Sequence, residues 1–72
     1  MKTTRHITKT AAKTSARLMV SIMDSAFAAR TAADAERVFM AYAVAKREMT
    51  AMHCLQALSA VEDAERRTRR AA

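Results

Sequence analysis

The stretch Ala45-Lys46-Arg47-Glu48-Met49-Thr50-Ala51 decides how this chain folds. Val38, Tyr42, Ala45, Met49 and Met52 lie on one apolar line at helical spacing, whereas Ala51, Cys54, Leu55, Leu58 and Val61 lie on another, displaced around the axis. A phase jump without Gly or Pro implies a short connector, and residues 46–49 are the most polar place for it. Thr50 then becomes an N-cap whose hydroxyl accepts from the backbone N–H of Met52 or His53. A final helix follows over about 51–65.

Upstream, Leu18, Ile22, Ala26, Ala29, Ala33, Met40 and Val44 recur on one broad helical face. Met19, Met23, Phe27, Val38, Ala41, Tyr42 and Ala45 fill the neighbouring arc. Together they exceed the stripe of about 100° expected of a surface helix, so this helix should be contacted from two sides. A competing break lies at Thr31-Ala32-Ala33-Asp34, a loose capping box with Asp in place of Glu or Gln. Taken literally it gives a helical hairpin, about 8–29 and 32–68, pairing into a four-helix bundle. Strong helix formers flank Thr31 and no Gly, Asn or Pro supplies a stop. The reading therefore favours the break at 46–50 and one long helix running through Thr31.

Composition agrees with an all-α chain. Its 72 residues and 7.9 kDa allow one small domain, 1–72. Such a chain buries only about 60% of its unfolded surface, which makes a lone monomer marginal. With Gly 0, Pro 0 and no Asn, hairpin turns lack their usual residues, and glycine-dependent phosphate loops and nucleophile elbows are excluded. One cysteine permits no internal disulfide, and no CxxC or paired Cys/His spacing offers a structural zinc. Oligomerisation is the remaining support for a small core.

The net charge of +6 is concentrated at the ends. Residues 1–23 hold Lys2, Arg5, Lys9, Lys13 and Arg17 without an acid, and 66–72 hold Arg66, Arg67, Arg69 and Arg70. The segment between carries four bases and all seven acids, a net −3. Residues 1–12 and 66–72 thus read as basic ends that need not pack, suited to polyanions such as nucleic acid or an anionic membrane surface. The six-residue apolar run at 18–23, interrupted by Ser21, is too short for a secretory signal, and nothing approaches the ~20 residues of a membrane span. The acid-free start also has the composition of a mitochondrial presequence, which keeps an organelle open as a location.

Residues 45–58, Ala-Lys-Arg-Glu-Met-Thr-Ala-Met-His-Cys-Leu-Gln-Ala-Leu, resemble the second loop and third helix of the histone fold. The resemblance implies one long central helix from about Leu18 flanked by shorter helices, with a first loop at 13–16 and a first short helix over 3–12. It further implies a handshake dimer, with itself or with a second histone-like chain, and a place in the nucleoid or chromatin. Lys13, Arg17, Lys46 and Arg47 would then stand on the surface that meets duplex DNA. Two features depart from that family: the loop is one residue shorter, and His53 stands where an acid usually clamps the loop arginine.

Other residues carry little chemistry. Adjacent helical residues point about 100° apart, so His53 and Cys54 make a poor ligand pair, and Cys54 reads as a small core residue. Met19, Met23, Met40, Met49 and Met52 suit a core. Glu62 with Arg66 and Glu65 with Arg69 are favourable i,i+4 pairs rather than catalytic carboxylates. Phe27, Phe39 and Tyr42 lie in the apolar helix, away from the basic ends, which argues against stacking on unpaired bases. No cofactor and no enzymatic constellation follow. The sequence points to a small basic protein that coats, bends or compacts duplex DNA as a dimer with little sequence specificity. Its phosphate contacts would be Lys9, Lys13, Arg17, Lys46, Arg47, Arg66, Arg67, Arg69 and Arg70, joined by Lys2 and Arg5. The alternatives are an inhibitor or adaptor docking a helical face, with Phe39 or Tyr42 exposed, on a larger protein, and a basic amphipathic segment on a membrane surface.

Overall fold

The computed structural model describes residues 9–71, with side chains from 11 to 70. Three helices account for nearly all of them: α1 (Lys9–Ala28), α2 (Ala32–Ala45) and α3 (Ala51–Ala71), with a single 3₁₀ turn at Lys46–Glu48. No strand occurs among the described residues. Both candidate breaks are real. The expected long helix from Leu18 is cut at Ala29–Thr31, so the middle helix, at 14 residues, is shorter than its neighbours at 20 and 21. The proposed first loop at 13–16 lies inside α1, and 9–12 continue that helix; the rest of the supposed first short helix lies outside the described residues. The hairpin alternative fares no better beyond Thr31, since its second helix is interrupted at 46–50.

Thr31 is a full capping box. Its hydroxyl accepts from the Asp34 amide at 3.1 Å, and Asp34 Oδ2 accepts from the amides of Thr31 at 3.2 Å and Arg30 at 3.0 Å. Arg37 completes the corner with an ion pair to Asp34. The Arg30 amide first, with the Thr31 amide and hydroxyl and Arg37 adding to it, holds the Asp34 carboxyl below its usual pKa of 3.8 against an opposing desolvation. A depressed acid contributes stability that is present above its unfolded pKa and lost as pH falls through the lowered folded value. The α1–α2 corner should therefore loosen below pH 3.8, seen as faster amide exchange in the first turn of α2, and Asp34→Asn should abolish that dependence. Thr31→Ala should cost about 1 kcal/mol at neutral pH, measurable by chemical denaturation.

The stop of α1 comes from far along the chain. Arg67 Nη2 donates to the carbonyls of Ala26 and Ala29, both at 2.9 Å, while Nη1 holds Asp63 at 3.1 Å. The Ala29 amide also turns back to Ala26 O, tightening the last turn. At the opposite end, Ser15 Oγ accepts from the Thr50 amide at 2.8 Å and shares a 2.6 Å hydrogen bond with His53 Nδ1. Ser15 therefore meets the start of α3, and Ala26–Ala29 meet its arginine-bearing end. The two helices run parallel with α2 returning between them, an up-down-up three-helix bundle. The described molecule is a rod of 52 × 15 × 14 Å.

The core is built largely of alanine. Among the described residues ten apolar side chains are buried, six of them Ala26, Ala29, Ala35, Ala57, Ala60 and Ala64, joined by Ile22, Val38, Tyr42 and Val61. Small residues let helix backbones approach closely, and α1 and α3 share the most extensive contact. Bulky apolar side chains are left outside: Phe27, Phe39, Met40, Val44, Met52 and Leu55 are exposed, as is Val20. The expectation that Met40 and Met52 belong to the core is thus corrected, whereas Met19, Met23 and Met49 do pack against it. Cys54 is half-buried rather than enclosed, its thiol donating toward Lys46 O at 3.6 Å. Tyr42, expected on the surface in the docking alternative, is only 8% exposed, and burial first and its Cys54 neighbour second push its phenol above 10.0.

Candidate nucleic-acid interface

Which bases the fold gathers follows from helix direction. Because α1 begins beside the α2–α3 connector, Lys9, Lys13 and Arg17 share one end of the rod with Lys46 and Arg47. Lys13, Arg17, Lys46 and Arg47 are all exposed, and Glu48 is the acid of the connector. The ion pairs among the described side chains are Arg37–Asp34, Arg66–Asp63 and Arg67–Asp63, none of which uses Lys13, Arg17, Lys46 or Arg47. Lys2 and Arg5 lie outside the described residues.

The connector itself is held by local bonds. The Lys46 amide caps α2 at Tyr42 O, and the Met49 amide closes the 3₁₀ turn on Lys46 O at 3.2 Å. Met49 then turns extended, at φ −117° and ψ 149°, and Thr50 opens α3 by accepting the His53 amide at 3.3 Å. This is the N-cap the sequence indicated. His53 bonds through Nδ1 to buried Ser15. Arg47 is left to solvent.

The far end of the rod is basic in a different way. The arginine stretch is no loose tail: α3 continues through it to Ala71, and Thr68 is buried with its hydroxyl donating to Ala64 O at 2.8 Å. Arg67 is engaged by α1, and Arg66 reaches Asp63 at 3.8 Å. The expected Glu62–Arg66 and Glu65–Arg69 pairs give way to contacts with Asp63, which serves Arg66 and Arg67 at i+3 and i+4. Arg69 and Arg70 remain exposed in the last turn, where cations suit the helix dipole. Arg30, exposed at the α1–α2 corner, joins them at this end. Sequence reading passed it over by running a helix through it, although the Thr31 cap marked it as a corner residue.

The aromatic side chains do not serve the connector end. Phe27 is exposed, but it lies ten residues along α1 from Arg17, about 15 Å away. No described helix is long and apolar enough to cross a membrane. No family model, curated protein or solved structure matches the chain.

Proposed function

We propose that this protein binds the backbone of duplex DNA through its connector end, as a homodimer, and coats or bends the duplex with little regard for sequence. The observation that carries the reading is the convergence of Lys9, Lys13 and Arg17 from α1 with Lys46 and Arg47 from the connector, against Glu48 alone. Bases fixed on helix ends meet phosphates at low entropic cost, and such contacts position a protein without reading bases. Arg30, Arg69 and Arg70 at the far end would add a second, weaker contact. Such a role would place the protein with the nucleoid or chromatin.

The likeness of residues 45–58 to a histone loop and helix favours the same use of Lys46 and Arg47. Helix lengths of 20, 14 and 21 residues depart from the short–long–short order that likeness implies, so the reading rests on the charge geometry. The test is fluorescence anisotropy with a random duplex at several salt concentrations. Five phosphates neutralised by the connector end give a slope of log K against log salt of about −4.5. A flat salt dependence, or no binding in dilute salt, would overturn the reading. Docking on a different protein remains the second reading, favoured by the exposed Phe39, Met52 and Leu55.

A further inference from the structure

We infer that Met52 and Leu55 form an apolar wedge that enters the minor groove and opens a base step, so that the protein prefers duplex that is easily kinked. This rests on the proposed DNA binding and names the kind of duplex that the connector end would select.

Met52 and Leu55 are 68% and 69% exposed. Three residues apart on α3, they share one helix face. Ala57, Ala60, Val61 and Ala64 supply the buried face of α3, which turns the pair outward. From Ala51 to Val61 the helix carries no Asp, Glu, Lys or Arg, so the pair is an uncharged island. Arg47 stands five residues before Met52, across the connector.

Direction decides which end of the rod the pair serves. Helical Cα–Cβ bonds tilt toward the helix N-terminus. Because α1 and α3 both begin at the connector end, Met52 and Leu55 lean toward it, as do Lys13 and Arg17. Val44 is as exposed, at 70%, but α2 ends at the connector and its side chain leans away. The connector end therefore presents two long apolar side chains among the exposed bases Lys13, Arg17, Lys46 and Arg47.

Chemistry selects the occupant. A protein groove that takes a helix reads anchors at i, i+3, i+4 and i+7. Here those positions are Met52, Leu55, Gln56 and Ser59, and only the first two are apolar. That is too little for a partner's groove or for a membrane surface. A wedge needs no more, since single Met or Leu side chains inserted at a base step kink the duplex by about 20–90°. The minor groove, about 6 Å wide, admits such side chains but not a helix. Bases flanking the wedge hold the phosphates on either side. A step that unstacks readily costs less to open, so deformability is the property selected.

Two end-labelled duplexes of about 30 base pairs, one intact and one with a central gap of one nucleotide, test the inference. Anisotropy reads affinity, and energy transfer between the ends reads bending. The unmodified chain should bend both and bind the gapped duplex about tenfold more tightly. Met52→Ala with Leu55→Ala keeps helix propensity. It should cut that preference below about twofold and abolish bending, with the salt slope unchanged. Val44→Ala should alter neither preference nor bending. Helicity by circular dichroism should be equal in all three proteins, since the altered side chains are exposed. Salt-dependent binding without bending, or bending that survives the double alanine variant, would overturn the wedge and leave the proposed function standing. A double variant that loses binding to phosphatidylserine–phosphatidylcholine vesicles but still bends duplex would also overturn it, giving the pair to a membrane surface. No binding to either duplex would overturn the proposed function and the wedge together.

Discussion

Arg67→Ala is expected to destabilise the fold by about 2 kcal/mol and lower the melting temperature by about 8–16 °C. The guanidinium takes two main-chain carbonyls of α1 and one carboxylate of α3 at once. Hydrogen bonds to a charged group contribute about 1.5–3 kcal/mol each when shielded. Arg67 keeps a 42% exposed side chain, so solvent screening lowers its share. Removing it takes the Arg67 donor from both carbonyls of the last turn of α1, leaving the Ala29 amide on Ala26 O, and no Gly or Asn is present to supply a local C-cap. Arg67→Lys should recover less than half of the loss, since one ammonium lacks the planar fork that spans two acceptors. Thermal melts of the two variants beside Arg69→Ala check this. Arg69 is exposed and should shift stability by less than about 0.5 kcal/mol. Equal melts for Arg67→Ala and Arg69→Ala would show that the clamp contributes nothing.

The second large effect belongs to Ser15. Its side chain is 1% exposed and joins α1 to both the Thr50 amide and His53. Ser15→Ala leaves a part-buried amide donor unsatisfied at the start of α3, at a cost of about 1–3 kcal/mol. His53→Ala keeps the Ser15–Thr50 bond and should cost less. Urea denaturation with amide exchange at 50–53 separates the two, because only Ser15→Ala should free the Thr50 amide. If His53→Ala proved the more damaging, the imidazole contact would be the stronger tie between α1 and α3.

These two residues also show what could be read in the sequence. The connector at 46–50 was legible, because an apolar phase jump and a capping threonine coincide there. The Thr31 cap is equally visible, but no Gly, Asn or Pro before it marks the end of the preceding helix. The stop is Arg67, which reaches Ala26 and Ala29 across 41 and 38 residues, and a tertiary cap leaves no local signal. The same contact draws the arginine stretch into α3, helped by Thr68 turning its hydroxyl onto Ala64 O. Periodicity found the apolar faces but not which members lie inside. That choice follows from the close approach of α1 and α3 over Ala26, Ala57 and Ala64, which excludes Phe27 and Leu55.

The candidate site divides along the same line. Lys13, Arg17, Lys46 and Arg47 were legible as bases in an acid-poor setting. Their gathering at one end was not derivable from spacing, since it depends on α1 running parallel to α3. The histone likeness reached the same four residues by a different arrangement, in which 13–16 would be a loop; here they belong to α1.

The most direct test compares the two ends of the rod in one DNA-binding experiment. Lys13→Gln, Arg17→Gln, Lys46→Gln and Arg47→Gln together remove four of the five bases gathered at the connector end. Arg66→Gln, Arg69→Gln and Arg70→Gln together remove exposed charge at the other while sparing the Arg67 clamp. Neutralising a phosphate contact lowers the salt slope by about 0.9. The account predicts that the connector-end variant loses about 3–4 from the slope and most of its affinity, while the arginine-end variant loses less than half as much. A larger loss from the arginine end, or equal small losses from both, would contradict it.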